Sequence, residues 1–278
     1  VKTPNDSQFE KNLLAQIQAH QNRSEIVLEG RWACLTGASS GIGLATAIAL
    51  ASEKVNLILI ARRGDRLQTI QKHLQATYGI EVQCAEMDVN HKEDFLKLNM
   101  LSTKKVSILV NNAGLALGLS PLESTPLDQL ETTISTNYIA VARLTQTLLP
   151  ILKSHPTAHM IHLGSIAGNA AYENGVGYCA SKHALKAMHL ALRQELCHTN
   201  VKSTILSPGM VETEFSVVRF FGDTERAKQV YTGLDPLTPS DVANGVIQAL
   251  KTPSHVNWDE ITLYPTAQAN PFKVHRKS

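Results

Sequence analysis

The chain is predicted to fold as a single-domain α/β protein of Rossmann type, a doubly wound, seven-stranded parallel sheet with helices on both faces. Three observations predict it. Apolar runs of strand length recur along the 278 residues, helical periodicity fills the gaps between them, and a glycine-rich turn joins the first run to the first helix. Strands covered on both faces read as unbroken apolar runs, and right-handed crossovers then stack the helices on either side.

The elements follow in order. Residues 1–29 form an N-terminal arm in which Phe9, Leu13, Leu14 and Ile17 fall at helical spacing. It is expected to lie as a helix on the body of this subunit or a neighbour. Acidic residues and few arginines argue against a transit peptide. One domain then spans 30–278, with strands predicted over Trp32–Thr36, Val55–Ile60, Glu81–Met87, Ser107–Val110, His159–Gly164, Val201–Leu206 and Ile261–Tyr264. Helices are predicted over Gly41–Glu53, Arg63–Tyr78, Lys92–Leu98, Leu127–Lys153, Tyr178–His198, Asp223–Tyr231 and Pro239–Lys251. Pro208-Gly209 and Pro265 act as strand stops, because proline lacks the N–H that a ladder requires. Ligands of such sheets bind beyond the strand ends.

Composition narrows the function. The chain is 43% hydrophobic and 18% charged with a formal net charge of +2, which excludes disorder and gives no basic stripe for nucleic acid. Cys34, Cys84, Cys179 and Cys197 lie in apolar segments without a C-x-x-C pair, which points to reduced thiols in the cytoplasm. No apolar run approaches the roughly 20 residues that span a bilayer, and no secretory leader pattern opens the chain. His155, His159 and His162 straddle a loop and a strand without carboxylate or thiolate partners, so no metal site is expected.

Gly37, Ser39, Ser40, Gly41, Ile42 and Gly43 follow the first strand and open a helix, where a dinucleotide pyrophosphate would sit. Glycines allow close approach, and free N–H groups at a helix N-terminus attract anions. The spacing is G-x-x-x-G-x-G, which meets the common G-x-G-x-x-G fingerprint only in part. At the end of the second strand, NAD-binding proteins place a carboxylate for the ribose 2′-hydroxyl, and this chain has Arg62 and Arg63 instead. Guanidinium groups pair with phosphate through charge-assisted hydrogen bonds, so the cofactor is predicted to be NADP(H).

Tyr178 and Lys182 lie four apart on a predicted helix and share a face, with Ser165 upstream. A free phenol has a pKa of about 10, and a nearby fixed ammonium favours the phenolate. The pair is predicted to exchange protons, with Lys182 drawing the Tyr178 pKa down.

Together, Thr36 to Gly43, Asn111-Asn112-Ala113-Gly114, Asn137, Ser165, Tyr178, Lys182 and Pro208-Gly209 with Thr213 resemble the short-chain dehydrogenase/reductase family. Within it, Ala61-Arg62-Arg63, the run Val211 to Phe220 and the final Val274-His275-Arg276 are most similar to the NADP-dependent 3-hydroxy acid dehydrogenases. The resemblance implies that Asp88 and Val89 contact the adenine, that Asn111, Ala113 and Gly114 flank the adenosine ribose, and that Pro208, Gly209, Val211 and Thr213 border the nicotinamide. It implies Tyr178 as general acid and base, Lys182 on the nicotinamide ribose, Ser165 donating to the substrate oxygen and Asn137 interrupting its helix to hold a relay water. It also implies a homotetramer and a substrate lid at 212–232, in which Arg219 could clamp a carboxylate. Two other readings share these residues: a broad NADPH carbonyl reductase for uncharged ketones, and a non-catalytic NADPH-sensing regulator.

Overall fold

The structure, a computed structural model, describes residues 11–18 and 26–277. Its strands are β1 (Trp32–Thr36), β2 (Asn56–Ala61), β3 (Val82–Glu86), β4 (Val106–Asn111), β5 (Ala158–Leu163), β6 (Val201–Pro208) and β7 (Glu260–Leu263). Its helices are α1 (Gly41–Ser52), α2 (Gly64–Tyr78), α3 (Leu127–Ile134), α4 (Ala140–Lys153), α5 (Val176–Leu196), α6 (Phe215–Arg219), α7 (Thr224–Gln229) and α8 (Pro239–Lys251).

Successive strand side chains point to opposite faces, and here both faces are apolar. In β2, Leu57 and Leu59 join one core layer while Ile58 and Ile60 join the other, all four inaccessible to solvent. The first layer packs against Leu50 of α1, Leu67 of α2 and Val242 and Val246 of α8. The second packs against Leu144, Leu148 and Leu152 of α4. All seven strands are parallel, in the order β3-β2-β1-β4-β5-β6-β7. The order reverses between β1 and β4, so a crevice opens beyond Thr36 and Asn111, the position at which such sheets bind ligands.

Boundaries differ from expectation where local chemistry intervenes. Helix α8 has its predicted limits because Thr238 and Asp241 form a reciprocal capping box ahead of Pro239. The single helix expected over Leu127–Lys153 is instead split into α3 and α4 by a wide turn over Ser135–Ile139, where Ala140 N–H bonds the Ser135 carbonyl five residues back. The expected helix at Lys92 is a 3₁₀ segment, Glu93–Met100. Strand β6 runs on through Pro208, its last residue, before Gly209 N–H reaches Leu263 O at 2.7 Å. The short helix α6 is absent from the sequence prediction, since five residues cannot show a period of 3.6.

Residues 11–18 of the arm are helical, with Leu13, Leu14 and Ile17 exposed; Phe9 lies outside the described residues. Ile26 N–H bonds Lys251 O at 3.2 Å and Leu28 is buried, so chain before residue 30 already belongs to the packed body. Among the described residues no helix is long and apolar enough to cross a membrane.

Candidate active site

The first wall of the crevice is the turn from β1 into α1. Thr36 Oγ1 accepts from the Asn112 and Ala113 N–H groups at 3.0 and 2.9 Å, and Asn112 Nδ2 donates to Thr36 O at 2.9 Å. These bonds lock the β1 and β4 strand ends together. Gly37 has φ +68°, and a Cβ there would stand 2.7 Å from Asn112 Nδ2. A Cβ on Gly43 would collide with Gly37 O and Asn112 Nδ2. Ser40 starts α1 without a side-chain cap, and no acidic residue occupies the first turn. Uncapped amides beside a surface that only glycine allows are a fit for a pyrophosphate.

At the end of β2, Arg63 donates to Ser39 Oγ (3.1 Å) and Ser40 Oγ (2.7 Å) and pairs with Glu214 at 2.9 Å. Arg66 pairs with the same carboxylate at 3.0 Å. The two guanidinium groups hold Glu214 below the usual carboxylate range. Arg62 is exposed, with no ion pair among the described residues. The glycine loop and Arg63 therefore share one rim, although Arg63 already has an acidic partner, and Arg62 precedes it in the chain.

Asp88 follows β3, its backbone N–H donating to Asp94 at 2.7 Å and its carboxylate accepting from Asn90 N–H at 2.9 Å. Val89 packs against the second core layer. The Asn111 side chain turns inward, donating to Thr145 Oγ1 (3.1 Å) and facing His162 Nδ1 (3.2 Å). Strand alternation explains this, since Asn111 is the last residue of β4. Its neighbour Asn112 faces the glycine loop in its place. His159 is likewise internal, 2.8 Å from Thr204 Oγ1. Gly114 lies beside Asn137 Oδ1 and Lys182 Nζ.

The second wall joins β5 to α5. Ser165 caps a 3₁₀ turn over Ile166–Gly168, accepting from Ala167 N–H at 3.1 Å, and stands near enough to the Tyr178 phenol to favour its ionised form. Tyr178 lies in the first turn of α5 with Lys182 one turn on, its Nζ 5.8 Å from the phenol ring centroid. Asn137, 1% exposed, grips Leu115 through both backbone groups, at 2.8 and 2.7 Å, and donates to Ser181 Oγ at 2.9 Å. Ser181 in turn donates to Tyr178 O at 2.7 Å. The widened turn at Ser135–Ile139 places Asn137 where it can make these contacts.

One expectation needs correction. The Tyr178 pKa is not drawn down as expected: burial pushes the phenol above its ordinary value, against opposing effects of Ser165 and the Arg219 charge. The Lys182 ammonium is directed to Leu163 O at 2.7 Å, and burial pushes its own pKa down to about 8. Two cations flank the phenol ring, Lys182 at 5.8 Å and Arg219 at 5.9 Å from its centroid.

The segment after β6 closes over this wall. Pro208 ends the strand, Val211 O accepts from the Tyr231 hydroxyl at 2.9 Å, and Thr213 stands across from Gly41. Phe215 meets Tyr178 edge to face with centroids 5.4 Å apart. Arg219 donates to Gly118 O (3.1 Å) and Tyr172 Oη (3.0 Å), and its guanidinium carbon lies 5.9 Å from the Tyr178 ring centroid. A small cavity lined by Gly118, Thr133, Gly177, Tyr178 and Arg219 adjoins the phenol. The sequence motifs contain Asn112, Glu214 and Phe215 without giving them a role, and Tyr172 and Ser181 have none there either. The strand-end alternation signals Asn112; the others are brought in by tertiary contacts that no local pattern encodes.

Comparison with known proteins agrees with this geometry. The family model described as short chain dehydrogenase matches residues 31–220. The chain is 38% identical over 254 residues to the NADP-dependent 3-hydroxy acid dehydrogenase of Schizosaccharomyces pombe, covering 90% of this chain and 98% of that protein. It is 35% identical over 246 residues to the serine 3-dehydrogenase of Agrobacterium fabrum, covering 88% and 98%. Among solved structures, the closed form of a serine dehydrogenase complexed with NADP+ matches with a TM-score of 0.81 and 34% identity, over 88% of this chain and 100% of that one. On a match that runs from the start of β1 through the Tyr178 wall to the residue after α6, the chain belongs to the short-chain dehydrogenase family.

Proposed function

We propose that the protein is an NADP(H)-dependent oxidoreductase that interconverts a short 3-hydroxy acid and its 3-oxo counterpart. The observation that carries this reading is the Tyr178 phenol on α5 beside the crevice, with Lys182 Nζ 5.8 Å and the Arg219 guanidinium carbon 5.9 Å from its ring centroid and Ser165 on the facing turn. The relatives named for NADP-dependent and serine dehydrogenation support the cofactor and the substrate class.

Gly37, Ser39, Ser40, Gly41, Ile42 and Gly43 would hold the pyrophosphate, and Arg62 with Arg63 the 2′-phosphate. Asp88, Val89, Ala113 and Gly114 would border the adenosine, and Pro208, Gly209, Val211 and Thr213 the nicotinamide; Asn111, turned inward, would support that wall from inside. When bound, the nicotinamide supplies the hydride acceptor or donor. As phenolate, Tyr178 would take the alcohol proton in oxidation, becoming the phenol that returns it in reduction. Ser165 donates to the substrate oxygen as charge develops there. Lys182 adds positive charge beside the phenol and would bind the nicotinamide ribose, and Asn137 holds the wall on which Tyr178 and Lys182 stand.

Segment 212–232 serves as the substrate lid, and Arg219 clamps the substrate carboxylate. Its guanidinium is fixed by Gly118 and Tyr172 beside the phenol, where one end of a short hydroxy acid would fall. Four free cysteines support a cytoplasmic location. A homotetramer would cover exposed apolar side chains such as Leu127, Val176 and Leu190. The test is NADPH formation from serine isomers, allo-threonine and 3-hydroxypropionate, run beside simple secondary alcohols. Turnover of the acids with NADP supports the reading; turnover confined to uncharged alcohols removes it.

A further inference from the structure

The C-terminal tail turns back at Asn270-Pro271. Asn270 Oδ1 accepts from the Phe272 and Lys273 N–H groups, both at 2.8 Å, and His275 N–H bonds Ala267 O at 2.8 Å. One arm of this hairpin is anchored under the crevice, where Gln268, 4% exposed, accepts from Met210 N–H at 2.9 Å. The other arm crosses the exit of the lid. Arg276 donates to Thr232 O at 2.6 Å and Val230 O at 3.0 Å, and Lys277 N–H bonds Gly233 O at 2.7 Å. Gly233 has φ +70°, and a Cβ there would stand 2.5 Å from Lys277 O, so only glycine lets the tail lie in this place.

Val230 and Thr232 flank Tyr231. Carbonyls at the end of α7 lack helical partners and carry the negative end of the helix dipole, which a guanidinium matches. Between the two clamped peptide groups, the Tyr231 hydroxyl reaches inward to Val211 O at 2.9 Å and Ser216 Oγ at 2.8 Å. Ser216 is 4% exposed on α6, the helix that sets Phe215 and Arg219 beside Tyr178.

We propose that Arg276 is a positioning residue for the active site. It touches neither the reacting atoms nor the cofactor loop. It fixes the backbone on both sides of Tyr231, and through that hydroxyl it seats α6 over Tyr178 and steadies the strand-end loop at Val211. The inference rests on the reading of the Tyr178 crevice as the site of reaction.

The test compares Arg276→Ala, Tyr231→Phe and the double variant. Arg276→Ala is expected to raise the KM for the hydroxy acid about fivefold to tenfold, the worth of one to two hydrogen bonds, with kcat within about twofold of the parent. Because Arg276 acts through Tyr231, the double variant is expected to match the worse single variant. Arg276→Lys, which supplies one donor group in place of a fork, is expected to recover part of the loss. A second readout needs no substrate: trypsin should cut faster at Arg226 and Lys228, on the exposed face of α7, in Arg276→Ala than in the parent. Faster cleavage with no turnover of any hydroxy acid by the parent enzyme would keep the tail's role and reject the substrate reading. Parental KM with parental cleavage, or KM effects that multiply in the double variant, overturns the proposal.

Discussion

The glycine-loop wall and segment 212–232, the proposed lid, meet where Thr213 stands across from Gly41, and they are built differently. The wall is held by strand ends, by Thr36 Oγ1 accepting two backbone N–H groups, and by glycines with no room for a Cβ. The lid is held by side chains reaching across gaps: Arg63 and Arg66 to Glu214, Arg219 to Gly118 and Tyr172, Tyr231 to Val211. Side-chain clasps at an exposed surface are individually weak and reversible. A fixed wall suits a cofactor common to many reactions, and a clasped lid suits a substrate that must enter and leave.

The contrast is broken most severely at Gly43. Gly43→Ala drives a methyl into Gly37 O and Asn112 Nδ2, and overpacking of about 1–3 kcal/mol should weaken NADPH binding by up to about a hundredfold, read by fluorescence titration. Unchanged affinity would show that the loop is not the phosphate cradle. On the lid side, Arg219→Met should raise the KM for hydroxy acids about tenfold to thirtyfold, the worth of a charge-assisted hydrogen bond, while sparing uncharged ketones. Equal losses on both substrate types would make Arg219 only a latch.

Arg63 joins the two regions through Ser39, Ser40 and Glu214, and the exposed Arg62 precedes it. Arg62→Ala should lower kcat/KM with NADP about tenfold and leave NAD nearly untouched. A parallel loss with both cofactors would assign the 2′-phosphate elsewhere.

The smallest effect lies under the wall, in the buried histidines. Burial pushes His162 down to about 3, and also lowers His159 and His189. Between about 3 and 6.5 the unfolded chain therefore binds more protons than the folded one. Stability is lost as pH falls below 6.5, by about 1.4 kcal/mol per pH unit from His162 alone. Urea midpoints at pH 7.5 and 5.5 should separate accordingly, and His162→Gln should narrow the gap. Coincident midpoints would mean that these rings carry their protons in the folded state.

The same contrast explains what could be read in advance. Unbroken apolar runs such as Leu57 to Ile60 signal a strand buried on both faces, and Thr238 with Pro239 signals a helix start, because those signals are local. The glycine loop, Ser165, Tyr178 and Lys182 were legible for the same reason. The direction of Asn111 depends on where β4 ends, one residue beyond its apolar run. The partners of Arg219 lie 47 and 101 positions away along the chain, and the tail that crosses the lid comes from beyond the last strand. No periodicity records contacts of that kind.

The central claim is that the Tyr178 phenol exchanges the substrate proton, and Tyr178→Phe tests it most directly, with turnover and NADPH affinity measured on the same preparation. The account predicts a fall in kcat of about a hundredfold to ten-thousandfold, with NADPH bound as tightly as by the parent. Turnover retained by the phenylalanine variant would contradict it.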